Sequence, residues 1–270
     1  MNRVYCCYPG GKHKALTMSY DDGRVHDRRL IEIFNRYGIK GTFHLNSGLF
    51  QRMDGADGRI QPEEIPELYK GHEVACHTMT HPTIARCPMP EAMNEVLEDR
   101  KALEKIVGYP VRGLSYPNGS LSEEIEKMLP MAGIRYSRVV GSSDSFALPE
   151  NPYRWQATCH HNHNLLQLGE QFNALFKRQY LYLMYVWGHS YEFNDKGNWD
   201  LMEDFCRLVG GKEDVWYCTN IEFMDCMDDY RLLQFAADNS FVYNPNLRDC
   251  WISVNDGEPI RIPGGATVRL

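Results

Sequence analysis

The chain has 270 residues, of which 43% are hydrophobic and 24% charged, an ordinary globular composition that allows one large domain or two small ones. Its formal net charge of −7 and the absence of a basic stripe along the sequence exclude a surface that tracks nucleic-acid phosphates. The first 14 residues hold no apolar signal-peptide core, and the most apolar run, Leu181–Gly188, is too short to cross a bilayer. We therefore expect a cytoplasmic protein that contacts no membrane, with nothing to indicate its oligomeric state.

The nine cysteines include no CxxC pair. Because a cytoplasmic protein is expected, the cysteines are predicted to be reduced thiols.

Strands and helices are predicted to alternate from the start of the chain. A β-type run is followed by a helical face that ends at a glycine, and further strands and a long amphipathic helix come after it. The predicted strands are Lys14–Tyr20, Lys40–Asn46 and His72–His77, and the predicted helices are Arg28–Gly38 and Glu91–Gly108.

The alternation continues through the middle of the chain. Ser120 and Glu123 have the spacing of a capping box and predict the start of another helix. Such alternation is typical of an α/β fold with a mostly parallel sheet. Further strands are predicted at Val111–Pro117, Ile134–Val140, Leu165–Gly169 and Leu181–Gly188.

The last 21 residues differ in pattern, with three short β-type runs and no helix. Asn255, Asp256 and Gly257 predict a hairpin turn between the first two of them. We expect a main domain over residues 1–240 and a small antiparallel β extension over residues 241–270 that packs on it.

Two clusters of polar side chains follow predicted strands directly. Asp21 and Asp22 come after the first strand, and His77 and His81 follow the strand that ends at Cys76. Taken singly, an Asp-Asp-Gly segment is typical of a turn or a helix cap, and an HxxxH pair of surface or core histidines. Taken together, they favour convergence at the carboxyl ends of parallel strands, where barrel enzymes hold their active sites. One carboxylate and two imidazoles form a three-ligand set that leaves metal positions open for water, as in a catalytic zinc site, and that also accepts other divalent metals.

Four segments, in this order, resemble the motifs of the polysaccharide deacetylases with a NodB-homology domain, also called carbohydrate esterase family 4. They are SYDDG, HTMTH, SYPNG (Ser115–Gly119) and GHSYEF (Gly188–Phe193), and the similarity extends roughly from Lys14 to Asp225. The resemblance implies a distorted or incomplete (β/α) barrel of the NodB type. It also implies a metal-dependent hydrolase acting on acetylated oligosaccharides or polysaccharides.

The resemblance implies a role for each matching residue. Asp21 would be the general base that deprotonates a metal-activated water, and His189 the general acid that protonates the leaving group. The backbone N–H near Tyr116 would help to hold the oxyanion. The metal, Zn²⁺ in first place with Co²⁺, Ni²⁺ or Fe²⁺ as alternatives, would be bound by Asp22, His77 and His81.

The chain departs from the family pattern in two places. Where many members carry an arginine that orients the base, this chain has Ser115, and the guanidinium could come from Arg112, Arg138 or Arg154. The family's tryptophan behind the acid histidine is matched only by Trp155.

Other residues around these motifs have two readings each. The candidate substrate contacts are Tyr116, Asn118, Trp155 and Trp187, and the aromatic side chains around the later motifs either stack on sugars or belong to the core.

The polar run Cys159–His163 is predicted to be a loop near the site, with lining of a sugar cleft as its functional alternative. Asp54–Gly58 is predicted to be a turn rather than a calcium loop, because Ala56 stands at a ligand position. The remaining aromatic residues of this group are Tyr153, Tyr191 and Trp199.

The leading functional hypothesis is removal of acetyl groups from N- or O-acetylated sugars. Two alternatives stay open at this point. One is hydrolysis of an amide in a small cyclic ureide or imide, and the other is a non-catalytic carbohydrate-binding relative of the same fold.

Overall fold

The protein is described over residues 2–51 and 58–270 from a computed structural model. Except for Gly58, the predicted turn at Asp54–Gly58 lies outside the described residues. The strands are β1 (Val4–Cys7), β2 (Lys14–Asp21), β3 (Gly41–Leu45), β4 (Glu73–Cys76), β5 (Gly113–Ser115), β6 (Tyr136–Val139), β7 (Trp155–Gln156), β8 (Cys159–His160), β9 (Tyr182–His189), β10 (Val215–Tyr217), β11 (Gln234–Phe235), β12 (Phe241–Tyr243), β13 (Cys250–Val254), β14 (Ile260–Ile262) and β15 (Thr267–Arg269). The α-helices are α1 (Asp27–Arg36), α2 (Ile65–Leu68), α3 (Met89–Val107), α4 (Glu123–Met131), α5 (Leu165–Ala174), α6 (Tyr191–Lys196), α7 (Trp199–Val209) and α8 (Asn220–Leu232).

The main sheet is a curled, all-parallel half-barrel, which confirms the predicted fold class. Its strand order is β7-β6-β5-β4-β3-β2-β9-β8, and β10 pairs with the first residues of β2. Because every pair in this sheet is parallel, all its strands end at the same edge. Side chains that follow those ends are therefore brought together in space.

The two faces of the sheet carry different side chains, because successive residues of a strand point to opposite faces. In β2, Leu16, Met18 and Tyr20 belong to the large apolar core shared with the helices. Thr17 lies on the inner face, where its hydroxyl donates to Asn220 Oδ1 at 2.7 Å. The first turn of α8 thus packs inside the half-barrel, and the opposite edge of the sheet is left for polar side chains.

Two predictions of local structure are wrong. Leu165–Gly169 starts helix α5 rather than a strand, because its buried positions, Leu165, Leu168 and Phe172, recur every three or four residues and form one helical face. Helix α4 is capped by Ser122 and not by Ser120, whose hydroxyl instead accepts a hydrogen bond from the backbone N–H of Ala85.

The predicted hairpin at the C-terminus is confirmed. Strands β13 and β14 pair antiparallel, and Asn255 and Asp256 have φ of 54° and 59°, as a two-residue turn with left-handed centres requires. The unpredicted strand β1 pairs with β13, and β15 pairs with β12. The N-terminus therefore shares a small sheet with the C-terminal extension, whose boundary at residue 241 stays a prediction.

All nine cysteines lie in the described part of the chain, and each has a free thiol. Among residues 2–51 and 58–270, no helix combines the length and apolar character that a membrane span requires.

Candidate active site

The turn after β2 presents Asp22 in a strained conformation. Asp22 has φ of 80° and is followed by Gly23 at φ of 58°. A Cβ on Gly23 would lie 2.7 Å from Leu45 Cδ2, so both the backbone angle and the close approach favour glycine. The guanidinium of Arg59 donates to the Asp22 carbonyl and, at 3.2 Å, to Asn46 Oδ1. These two hydrogen bonds hold the turn in place.

The segment from His77 to His81 is a second constrained turn, at the end of β4. The amide of Asn46 donates to the carbonyls of His77 and Thr78, at 2.6 and 2.9 Å. The buried carboxyl of Asp99, in α3, accepts from the backbone N–H of His77 at 3.1 Å. Thr78 and His81 both have positive φ, near 62°. Neighbouring elements, and not local propensity, therefore hold the two histidines in place.

The two turns bring the predicted metal ligands together. Asp22 Oδ1 lies 4.0 Å from His77 Nε2 and 3.8 Å from His81 Nε2. His77 Nδ1 is 2.9 Å from the Ser115 carbonyl, so this nitrogen carries the proton and leaves the Nε2 lone pair toward Asp22. A backbone acceptor behind a histidine is the usual support of a metal ligand, and the donor set fits a divalent cation.

Asp21 lies beside these ligands, at the end of β2, and both of its oxygens are hydrogen-bonded. Ser115 Oγ donates to Oδ1 at 3.0 Å, and the guanidinium of Arg138 donates to Oδ2. Burial acts to raise the pKa of Asp21, but Arg138 and, less strongly, His77 and His44 hold it well below its usual range. Asp21 is therefore an anion at neutral pH.

The arginine that sequence reasoning could not choose is Arg138. It lies in β6 as the register partner of Ser115 in β5, is fully buried, and stacks with its guanidinium carbon 4.2 Å from the centre of the Trp187 ring. The other two candidates serve elsewhere, since Arg112 pairs with Asp225 and Arg154 with Glu126.

His189 ends β9 in register with Asp21, so it lies at the same edge of the sheet. Its Nδ1 is 2.6 Å from Glu192 Oε1. Burial acts to lower the pKa of His189, but the hydrogen bond to Glu192 and the negative charge of Asp21 outweigh it and raise the pKa. Sequence reasoning missed Glu192. Its position three residues after His189, at the start of a helix, was the signal that could have found it.

The run Cys159–His163, predicted as a loop near the site, lies near the site but begins with strand β8, and it places two histidines against Glu192. His160 Nε2 is 3.2 Å from Glu192 Oε1, and His161 Nε2 is 3.5 Å from Oε2. Within the described residues, this trio and the set of Asp22, His77 and His81 are the groups whose side chains could hold a metal ion.

Two of the four candidate substrate contacts, Tyr116 and Trp155, have structural surroundings that argue against that role. Tyr116 is buried, and its backbone N–H donates to the Arg138 carbonyl at 3.1 Å, so this N–H is not free to hold an oxyanion. Trp155 packs in the inner core against Tyr185 and not behind His189. Trp187 lies 5.9 Å from His189, ring centre to ring centre, and takes the place predicted for Trp155.

Asn118 is exposed near the HxxxH turn, with its amide 3.4 Å from Thr83 Oγ1. Of the other aromatic residues, Tyr191 lies 5.2 Å from the His189 ring. The hydroxyl of Tyr153 donates to the Ile134 carbonyl, and Trp199 is buried against Phe193.

Comparison with known sequences confirms the predicted resemblance. The family model described as polysaccharide deacetylase matches residues 9–137. The peptidoglycan-N-acetylmuramic acid deacetylase PdaC of Bacillus subtilis is 24% identical over 121 residues, which are 44% of this chain and 24% of PdaC. A chitooligosaccharide deacetylase of Bradyrhizobium sp. (strain ANU 289) is 36% identical over 125 residues, 45% of this chain and 53% of that protein. The matches thus span about a quarter to a half of these relatives.

Comparison with solved structures shows the same fold over most of the chain. A Mycobacterium smegmatis protein assigned as a polysaccharide deacetylase superposes with a TM-score of 0.63 at 17% identity, over 86% of this chain and 96% of that one. PuuE allantoinase superposes with a TM-score of 0.62 at 14% identity, over 81% of this chain and 91% of its own. At these identities the likeness supports the NodB-type half-barrel and nothing finer.

Proposed function

We propose that this relative of the polysaccharide deacetylases is a metal-dependent hydrolase that removes acetyl groups from acetylated oligosaccharides or polysaccharides. The observation that carries the proposal is the juxtaposition of Asp22, His77 and His81 with Asp21, an anion held on both oxygens by Ser115 and Arg138. A structural role alone gives no reason to gather two carboxylates and two histidines at the ends of β2 and β4, where Asp22 and His81 are held at positive φ.

Asp22, His77 and His81 would hold the cation, with Zn²⁺ proposed first because two imidazoles and one carboxylate suit it. When bound, such a cation lowers the pKa of water and polarises a carbonyl oxygen. The strained Asp22 turn and the Ser115 carbonyl behind His77 keep the three side chains oriented toward one another.

Asp21 would be the general base. Its two hydrogen bonds fix the carboxylate plane, and each oxygen keeps a second lone pair that can accept a proton. Arg138 keeps Asp21 ionised, so the base is ready in the resting protein. Of the two adjacent carboxylates, Asp22 would thus bind the metal and Asp21 would act as the base.

His189 would be the general acid that protonates the leaving amine or alcohol. Glu192 accepts from its Nδ1, which leaves Nε2 as the nitrogen that exchanges a proton with substrate. The raised pKa keeps a larger share of His189 protonated at neutral pH, as an acid catalyst requires. Such a group typically contributes about 10²–10⁴-fold to the rate.

The proposed substrate class draws on the relatives, which are named as deacetylases of peptidoglycan and of chitooligosaccharides. Both are polymers or oligomers of N-acetylated amino sugars. The N-acetyl group of such a sugar is therefore the first bond to test, with O-acetyl esters second.

The test is acetate release by the zinc- or cobalt-loaded protein from N-acetylated chitooligosaccharides, peptidoglycan fragments and O-acetylated xylan. Cyclic ureides and imides belong in the same panel, assayed by ring opening. Asp21→Asn and His77→Ala should abolish the release. His163→Ala is the matched control, because His163 is 43% exposed and pairs only with Asp144 in the described structure.

Acetate release that survives in Asp21→Asn would contradict the assigned base. Ring opening without acetate release would replace the sugar substrate by a cyclic amide. Tight glycan binding by a metal-loaded protein that hydrolyses nothing would support the binding-protein alternative.

A further inference from the structure

One carboxylate beside the candidate active site is surrounded by donors from two segments of the chain. Glu192 Oε1 is 2.6 Å from His189 Nδ1 and 3.2 Å from His160 Nε2. Glu192 Oε2 accepts from Asn162 Nδ2 at 2.6 Å and lies 3.5 Å from His161 Nε2. We call these five residues the Glu192 cluster.

Two chemistries compete for this cluster. Two imidazoles and a carboxylate could bind a second metal ion, or they could form a hydrogen-bonded group without one. A histidine that binds a metal through Nε2 must offer a lone pair there, and it normally donates its Nδ1–H to an acceptor.

The hydrogen-bonding partner of His160 decides between them. His160 Nδ1 accepts from the backbone N–H of Asn162 at 3.2 Å, so this nitrogen holds the lone pair. In a neutral imidazole the proton is then on Nε2, the atom that faces Glu192. The ring is thus arranged as a donor to the carboxylate and not as a metal ligand.

The neighbouring His161 has a packing role in the cluster. It is fully buried between Tyr20 and Phe193, with ring centres at 5.8 and 4.1 Å. Its Nδ1 lies so close to β9 that a Cβ on Gly188 would be 2.0 Å away. Desolvation lowers the pKa of His161 to about 4, so the ring stays neutral and adds no charge beside Glu192.

The position of Glu192 explains why it needs additional donors. It lies in the first turn of the six-residue helix α6, on a side chain with three rotatable bonds. A single hydrogen bond to His189 would have to hold that flexible carboxylate in one rotamer against its conformational entropy. His160 and Asn162 supply two further contacts from β8 and the residues after it.

We propose that His160 is a positioning residue for the general acid: by donating to Glu192 it holds the carboxylate that fixes the tautomer and orientation of His189. The inference rests on the proposed function for the role of His189. His160 also packs edge-on against Trp187, with ring centres 4.6 Å apart, and Arg138 contacts the same indole. Trp187 thus contacts both His160, which supports the proposed acid, and Arg138, which supports the proposed base.

The test compares His160→Gln, whose amide N–H can replace Nε2–H, with His160→Leu, which has a similar size and no donor. The matched control is His163→Leu, which changes an exposed histidine of the same segment. His160→Leu should lower kcat by about 10- to 100-fold with KM within about twofold, as expected for a misoriented catalytic group, and His160→Gln should recover most of the loss. A melting curve for each variant separates this effect from unfolding.

A second readout does not depend on activity. In ¹⁵N–¹H spectra of the imidazoles at alkaline pH, the wild type should show His160 protonated at Nε2 and His189 at Nδ1. His160→Leu should shift His189 toward its other tautomer, and His163→Leu should not.

Three outcomes would overturn the inference: an Nδ1–H tautomer at His160, an unchanged kcat and His189 tautomer in His160→Leu, or a second equivalent of bound zinc that this variant loses. A wild type that hydrolyses no substrate would refute the proposed function, while the tautomer spectra would still report whether His160 acts on His189 through Glu192.

Discussion

Arg138 reaches the carboxylate of Asp21 from β6, while its register partner Ser115 in β5 donates to the other oxygen of the same group. The resemblance implies an arginine at the position of Ser115. In this chain the guanidinium that reaches Asp21 comes from the next strand of the sheet, and Ser115 contributes a hydroxyl. The two adjacent strands together supply both partners of the proposed base.

Replacement of Arg138 should damage stability and activity together. Arg138→Met keeps most of the side-chain volume but leaves the buried Asp21 carboxylate without its cation. Removing one member of a buried ion pair typically costs about 3–5 kcal/mol. We also expect kcat to fall by about 100-fold or more, because the base loses its orientation.

Arg154→Met is the matched control for this experiment. It breaks the pair with Glu126, in which the arginine side chain is 48% exposed, and solvent screens such a pair so that it adds little stability. Urea unfolding and kcat measured on both variants would check the prediction. Equal effects of the two substitutions would show that Arg138 is not the partner on which Asp21 depends.

The choice of Arg138 illustrates what sequence could not provide. The proposed metal ligands could be predicted because they follow strand ends directly, and the carboxyl ends of parallel strands converge. Which of Arg112, Arg138 and Arg154 faces Asp21 depends on strand register and on the face of β6, and both are set by tertiary packing. A shift of one residue in β6 would turn the guanidinium away from Asp21.

The other errors have similar causes. Leu165–Gly169 is too short for periodicity to separate a buried strand from a helix, and only the continuation to Phe172 shows the helical face. Trp155 and Trp187 are both inner-face aromatics of neighbouring segments, and only the structure shows that Trp187 is the one beside His189. Glu192 was missed because its contact with His189 depends on helix α6 starting at Tyr191, which the motif alone does not show.

Metal binding should stabilise the fold through the three proposed ligands. A ligand at 100 times its dissociation constant adds about 2.7 kcal/mol to the free energy of unfolding. Zinc should therefore raise the Tm of the metal-free protein by several degrees, and a chelator should reverse the increase. Differential scanning calorimetry with and without zinc measures this shift.

His77→Ala and Asp22→Asn should lose the zinc-induced increase, whatever their own starting Tm. His163→Ala should retain it. An increase that persists in His77→Ala would place the cation elsewhere on the protein.

Glu73 predicts a pH dependence of stability inside the half-barrel. Its carboxyl accepts hydrogen bonds from Thr42, Tyr136 and the backbone N–H of Ile221, at 2.8–2.9 Å. Burial outweighs these bonds and raises the pKa of Glu73 from 4.5 to about 7. A raised pKa means that the folded state binds the proton more tightly than the unfolded chain does. The stability that this proton confers is complete below the unfolded pKa and is lost as the pH rises toward 7.

Glu73→Gln should remove this pH dependence. Between about pH 5 and about pH 8, the stability of the wild type should fall relative to the variant by up to about 3 kcal/mol. Urea unfolding of both proteins at the two pH values gives the difference between their free energies of unfolding. The contributions of all other titrating groups cancel in this difference. Glu67→Gln, an 86% exposed carboxyl, is the control and should leave the difference near zero. A pH-independent difference for Glu73→Gln would mean that Glu73 titrates as an ordinary carboxyl.

Gly23 offers a test of the strained turn that carries Asp22. Gly23 and Gly38 both have positive φ, 58° and 65°, but a Cβ on Gly38 meets nothing within 4 Å, whereas one on Gly23 collides with Leu45. Gly38→Ala should therefore cost only the backbone penalty, about 1–2 kcal/mol. Gly23→Ala should cost more than this, and zinc affinity should fall in Gly23→Ala alone, because relief of the collision moves the adjacent Asp22. Calorimetric zinc titration and urea unfolding of both variants measure the two effects. Unchanged zinc affinity in Gly23→Ala would show that the turn is free to adjust without moving its carboxylate.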